Sequence, residues 1–180
     1  MNSQPPKVPR DHTAPGRLGR SSYLRPPWTD ELAVRKSCTS CGDCLRACPE
    51  AILVAGPAGT PIVNFAQGEC TFCGACAQAC PEDVFRGITE PPWDNTATIS
   101  AACLLTSGVA CRSCTDFCDA GALRFDIRSQ PVGRIDLDQS ACTGCGACVA
   151  ACPVAAIDIK PAPKRSASNE HLRMSRSRCA

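Results

Sequence analysis

The sequence predicts an α+β fold made of two small tandem units, with a mobile tail at each end. Three observations carry that expectation. Seventeen of the 180 residues are cysteine while only 4% are aromatic, so a large apolar core is excluded and sulfur must cross-link what packing cannot hold. Sixteen of those cysteines fall into four compact groups. The groups in turn belong to a long internal repeat, in which the last two copy the first two.

Group one is Cys38, Cys41, Cys44 and Cys48, and group two is Cys70, Cys73, Cys76 and Cys80. Group three is Cys103, Cys111, Cys114 and Cys118, and group four is Cys142, Cys145, Cys148 and Cys152. Pro26-Pro27-Trp28 recurs 65 positions later as Pro91-Pro92-Trp93, and each Trp stands ten residues before a cysteine, Cys38 or Cys103. Five extra residues between Cys103 and Cys111 raise the offset to 70, and it is 72 for groups two and four. The resulting organisation is a basic N-terminal arm over 1–27, a first unit over 28–90, a second over 91–160, and a basic disordered tail over 161–180.

Within each unit the elements are short. Residues 62–65 and 134–137 lead toward groups two and four and read as brief strands. Residues 45–48, 77–80 and 149–152 read as single helical turns stopped by Pro49, Pro81 and Pro153, because proline cannot continue a helix. Residues 52–55, 123–127 and 156–159 read as return strands. Trp28 and Trp93 are expected to lid or pack the sulfur-rich loops.

Groups one, two and four share the spacing C-x2-C-x2-C-x3-C-P, which is that of the bacterial [4Fe–4S] run. Three thiolates within seven residues wrap one face of a cubane. Gly42, Gly74, Gly144 and Gly146 suit a loop that bends sharply and turns amides toward sulfur. The fourth cysteine is carried away by the helical turn and, in two-cluster ferredoxins, ligates the other cluster. On that rule four [4Fe–4S] clusters are expected. Cluster one takes Cys38, Cys41, Cys44 and Cys80, and cluster two takes Cys70, Cys73, Cys76 and Cys48. Cluster three takes Cys103, Cys111, Cys114 and Cys152, and cluster four takes Cys142, Cys145, Cys148 and Cys118. Strand, cluster loop, helical turn and strand, run twice, make two tandem units of the bacterial two-cluster ferredoxin type.

Structural zinc is the poorer reading, since it pairs separated C-x2-C knuckles. Disulfides need an oxidising compartment. Group three departs from the others: its first gap is seven residues instead of two, and Asp119 replaces the proline. Cys103 therefore has two readings. It is a cluster ligand, as the repeat favours, or a buried thiol in the apolar segment 101–105. Cys179 reads as a free thiol, and His12 and His171 have no partner at ligand spacing.

Charge is segregated. Residues 1–36 carry seven Lys/Arg against three acids and residues 160–180 carry six against one, whereas residues 37–159 carry six against thirteen. The expectation is an acidic body with two basic, solvated tails. Nucleic acid is not an expected partner, because the tails lack interleaved aromatics and the body repels phosphate. The N-terminus has no apolar export core and no apolar run reaches membrane-spanning length, so the expected compartment is the cytoplasm. No Ser-His-Asp arrangement, P-loop or dinucleotide fingerprint is present, and a non-enzymatic role is expected.

The string RPPW, followed by CTSCGDCLRACP, CTFCGACAQACP, CLLTSGVACRSCTDFC and CTGCGACVAACPVAAI, resembles the NapF family, the ferredoxin-type accessory proteins of periplasmic nitrate reductase systems. The match covers about residues 21–159, and the long gap in group three is itself like the family. The resemblance implies a cytoplasmic iron–sulfur protein that assists maturation of the molybdenum-containing catalytic subunit before export, by electron or cluster delivery. A general ferredoxin-like carrier, or an electron-transfer subunit of an oxidoreductase, is the alternative. The acidic body disfavours adding an electron, so potentials are expected in the lower half of the range of roughly −700 to +450 mV open to such clusters.

Overall fold

The structure, a computed structural model, describes residues 23–162. The mobility expected of residues 1–22 and 163–180 lies outside the described residues, as do Cys179, His12 and His171.

The first unit opens on Arg25-Pro26-Pro27-Trp28. Its first helix is α1 (Glu31–Ser37), begun by Asp30, whose carboxylate accepts from the Ala33 N–H at 2.8 Å. Then follow α2 (Asp43–Ala47), β1 (Leu53–Ala55), β2 (Pro61–Val63) and α3 (Ala75–Gln78). The second unit comprises β3 (Asn95–Ile99), α4 (Ser113–Asp116), β4 (Leu123–Asp126), β5 (Arg134–Leu137), α5 (Ala147–Ala150) and β6 (Ile157–Pro161).

Three two-stranded antiparallel sheets result. β1 pairs β2 with Val54 opposite Ile62, and β4 pairs β5 with Phe125 opposite Ile135. These two hairpins are the repeat's counterparts. β3 pairs β6 from Asn95 opposite Pro161 to Ile99 opposite Ile157, and this sheet has no twin in the first unit. There α1 occupies the place of β3, and the two ends of the unit are joined by Arg86 N–H to Trp28 C=O and Thr29 Oγ1 to Val84 C=O, both 2.7 Å, and by the Trp28 indole N–H to Glu90 C=O at 2.8 Å. The cause is local. Asp-Glu-Leu-Ala-Val-Arg-Lys supplies an N-cap, an acidic first turn and a basic last turn. Asn-Thr-Ala-Thr-Ile instead alternates β-branched residues.

The first unit begins earlier than residue 28, and this corrects the expected boundary of the mobile arm. Pro26 and Pro27 are fully buried. Arg25 donates to Glu31 Oε2 at 2.6 Å, Thr60 Oγ1 at 3.0 Å and Pro61 C=O at 2.9 Å. Leu24 accepts from the Val63 N–H at 2.9 Å. At the other end β6 runs on to Pro161, one residue past the expected limit.

Each unit has a small core. In the second it gathers Ala97, Leu123 and Ile157 around Cys114 and Cys148; in the first, Leu53 packs with Cys44 and Cys76. Cysteine is thus part of the core. The two units also meet. The Trp28 N–H donates to Pro92 C=O at 2.7 Å, joining one copy of the Pro-Pro-Trp repeat to the other. The rings of Trp28, Phe72, Trp93 and Phe65 follow one another edge to face, with centroids 5.7 to 6.4 Å apart.

Candidate metal centres

The cysteine loops owe their shape to paired left-handed residues. In group one these are Ser40 and Gly42, in group two Phe72 and Gly74, and in group four Gly144 and Gly146. Glycine adopts that conformation freely. Ser40 at φ 58° and Phe72 at φ 53° do so against a steric cost. At Gly144 and Gly146 glycine is also needed for space. A Cβ on Gly144 would lie 2.4 Å from the Asn95 carbonyl oxygen, and one on Gly146 would lie 2.2 Å from the Phe65 ring.

Immediately after Gly42, Gly74 and Gly146 the chain enters α2, α3 and α5. These helices start about two residues earlier than expected, and all three end before the fourth cysteine. The third cysteine of each group, Cys44, Cys76, Cys114 or Cys148, lies on the helix and is buried. Cys41 and Cys73 are exposed, and the remaining ten of the expected ligands are half-buried.

The structure brings the sixteen cysteines into four quartets. Cys38, Cys41, Cys44 and Cys80 line one cavity, and Cys48, Cys70, Cys73 and Cys76 line a second. Cys103, Cys111, Cys114 and Cys152 line a third, and Cys118, Cys142, Cys145 and Cys148 line a fourth. In every case the fourth cysteine comes from the other group of the same unit. Pro27 and Trp28 close the second cavity. Trp93 sits elsewhere, between the rings of Phe65 and Phe72, with its indole donating to Thr143 C=O at 3.0 Å.

Cys103 reaches its quartet because the extra residues fold back on themselves. Leu104–Ser107 form a 3-10 turn closed by Gly108 in the left-handed region. The Thr106 N–H bonds Cys103 C=O at 2.9 Å, and the Val109 N–H bonds Leu104 C=O at 3.0 Å. The insertion is therefore a side loop, and Cys103 is half-buried at a cavity wall instead of deep in an apolar segment.

Sulfur is the donor that recurs in all four cavities, and main-chain amides point at it. Ser40 N–H approaches Cys38 Sγ at 3.4 Å, Ala97 N–H approaches Cys142 Sγ at 3.4 Å, and Ala156 N–H approaches Cys152 Sγ at 3.2 Å. Burial pushes the thiols of Cys44, Cys76 and Cys114 up to about 11, and those of Cys70 and Cys148 up to about 12. The quartet partners add to the shift: Cys80 acts on Cys44, Cys48 on Cys76, Cys152 on Cys114 and Cys118 on Cys148. Four thiolates crowded in this way need a cation to compensate them. Among the described residues, no three His, Cys, Asp or Glu side chains gather closely enough to hold one metal ion. Quartets that surround a cavity without converging on a point fit a polynuclear iron–sulfur core better than tetrahedral zinc.

A groove of about 480 Å³ between the units is lined by Tyr23, Phe65, Val149, Cys152 and Asp158 among others. It brings no catalytic set of groups together. Arg25, Phe65 and Phe72 position the loops and were not singled out by spacing; the quoted RPPW string contains the first, but its clamp on Glu31 and Pro61 depends on contacts remote in sequence.

The model of the 4Fe-4S dicluster domain matches residues 37–84 and again 109–156. The chain is 47% identical over 137 residues to a ferredoxin-type protein NapF of Haemophilus influenzae, covering 76% of this chain and 78% of the relative. It is 45% identical over 138 residues to the ferredoxin-type protein NapF of Escherichia coli K12, covering 76% and 84%. It is 38% identical over 136 residues to a protein of Methanosarcina acetivorans that is one subunit of an ion-translocating oxidoreductase complex, covering 70% of this chain and 49% of that relative. The cofactors are [4Fe–4S] clusters, carried by two dicluster units in tandem.

Proposed function

Because the chain belongs to the 4Fe-4S dicluster proteins and, among them, to the NapF ferredoxin-type family, we propose that it is a cytoplasmic accessory protein for the molybdenum-containing catalytic subunit of a periplasmic nitrate reductase. It acts on that subunit before export, by delivering electrons or iron–sulfur clusters. It carries four clusters on the four crossed quartets, and it is not an enzyme. When bound, the clusters supply one-electron uptake and release. The chain's own residues hold them by thiolate, fix their spacing through α2 to α5, and direct amides at the sulfurs.

The observation that supports this reading best is the 47% identity to a NapF protein over 137 residues, 76% of the chain. Among the described residues no helix is long and apolar enough to cross a membrane. The exposure of Cys41 and Cys73 makes the first unit the more open to an incoming partner. The test is anaerobic incubation of the holo-protein with the apo catalytic subunit. Iron or electrons appearing in the subunit, together with stable capture of the pair, are expected. Absence of both capture and transfer would refute the role.

A second reading is an electron-transfer subunit of another oxidoreductase. The 38% identity to an oxidoreductase complex subunit favours it. In that case the clusters stay bound through redox cycling and no iron leaves the chain.

A further inference from the structure

We infer that electrons cross between the two units where the loop of group two meets the loop of group four, so that the clusters work in the order one, two, four, three. The inference rests on the crossed quartets proposed above. It is carried by one contact: the Cys70 N–H donates to the Cys145 carbonyl at 2.8 Å. Cys70 lines the second cavity and Cys145 the fourth. The route between these thiolates therefore runs through the bonds of the two ligand residues and a single hydrogen bond. No other residue intervenes.

The seam around that contact is tightly closed. Phe72, from the loop of group two, stacks edge to face on Trp93 at 5.7 Å, and Trp93 donates to Thr143 in the loop of group four at 3.0 Å. Gly146 lies so near Phe65 that a Cβ would stand 2.2 Å from the ring. The first and third quartets differ: among the described residues, no hydrogen bond joins Cys38, Cys41, Cys44 or Cys80 to the second unit, or Cys103, Cys111, Cys114 or Cys152 to the first. Cys152 of the third quartet does face the first unit, but across the open groove of about 480 Å³. With the clusters bound, each crossing would take one electron from a reduced cluster of one unit to an oxidised cluster of the other. No covalent bond changes, and a low-potential one-electron donor such as dithionite supplies the charge.

The test uses the full chain, reconstituted anaerobically, reduced with dithionite and read by EPR. Cys38→Ala with Cys103→Ala should remove the first and third clusters. Loss of half the iron is expected, and any other loss overturns the quartets themselves. The surviving second and fourth clusters should give the spectrum of an interacting spin pair. Cys73→Ala with Cys145→Ala leaves the first and third, which should give two independent signals. Independent signals in the first variant, or an interacting pair in the second, overturn the route while leaving the quartets standing. Where a double variant fails to fold, Gly146→Ala keeps all the ligands and pries the seam apart. Inter-unit splitting should weaken there but not in Gly121→Ala, whose added Cβ meets nothing within 4 Å. Unchanged splitting in Gly146→Ala overturns the route.

Discussion

Replacing Gly146 with Ala tests how much the seam between the units contributes to holding the clusters. Gly146 turns the chain at φ 88°, and the added Cβ would lie 2.2 Å from the Phe65 ring. The left-handed backbone costs an L residue about 1–2 kcal/mol. Forcing the overlap costs about 1–3 kcal/mol more. Gly121→Ala separates the two contributions, because Gly121 has φ 60° but nothing within 4 Å of a Cβ. The backbone cost is common to both variants and the clash belongs to Gly146 alone. Cluster binding and folding are coupled, so the assay is the rate at which visible absorbance bleaches under anaerobic chelator challenge. The clash should make Gly146→Ala bleach roughly five- to 150-fold faster than Gly121→Ala. Phe65→Ala in the same chain should relieve the clash, so the double variant is less damaged than the two single losses combined. Equal bleaching of the two Ala variants, or strict additivity with Phe65→Ala, would refute the reasoning.

Cys103→Ser should lower bound iron by about one cluster in four, with the loss confined to the second unit; unchanged iron by anaerobic analysis would remove Cys103 from its quartet. Exhaustive chelation should abolish cooperative structure by circular dichroism, since each small core is completed by its own cysteines. The Arg25 guanidinium holds the Glu31 carboxyl below the usual carboxylate range. The ion pair therefore stabilises fully at neutral pH and is lost as pH falls through that depressed value. Because Glu31 is 44% exposed, Glu31→Gln should cost no more than about 1 kcal/mol at pH 7, and a wild-type advantage that grows on acidification would contradict the assignment. Trp28→Phe keeps the ring at the second cavity but leaves the Glu90 carbonyl without its 2.8 Å donor, and should destabilise by about 0.5–1.5 kcal/mol, measured as faster bleaching.

The cysteine spacing made the quartets legible because such a motif carries its geometry locally. Three ligands in seven residues leave the loop few conformations, and the helical turn must throw the fourth across. Even Cys103, separated from its neighbour by seven residues, was recoverable from the repeat. What escaped depends on distant contacts. The pairing of 95–99 with 157–161 joins segments about 60 residues apart, which no local pattern marks. Arg25, Pro26 and Pro27 looked like part of a solvated arm, because their burial depends on Thr60, Pro61 and Glu31. The hydrogen bond from Cys70 to Cys145 joins main-chain atoms and leaves no trace in residue type. Phe72 in a left-handed position is likewise invisible, since phenylalanine does not favour that conformation.

The exchange of fourth cysteines bears on how such a chain is built. During synthesis the N-terminal residues emerge first. A cubane closed by Cys48, Cys70, Cys73 and Cys76 lacks nothing once residue 76 has appeared, while one awaiting Cys80 must remain open a little longer. The same schedule recurs at Cys148 and Cys152. Each half would thus mature its inward-facing inorganic core before its outer one, and a nascent chain that had emerged only to a point between residues 76 and 80 would be a half-finished metalloprotein with three thiols still seeking a fourth.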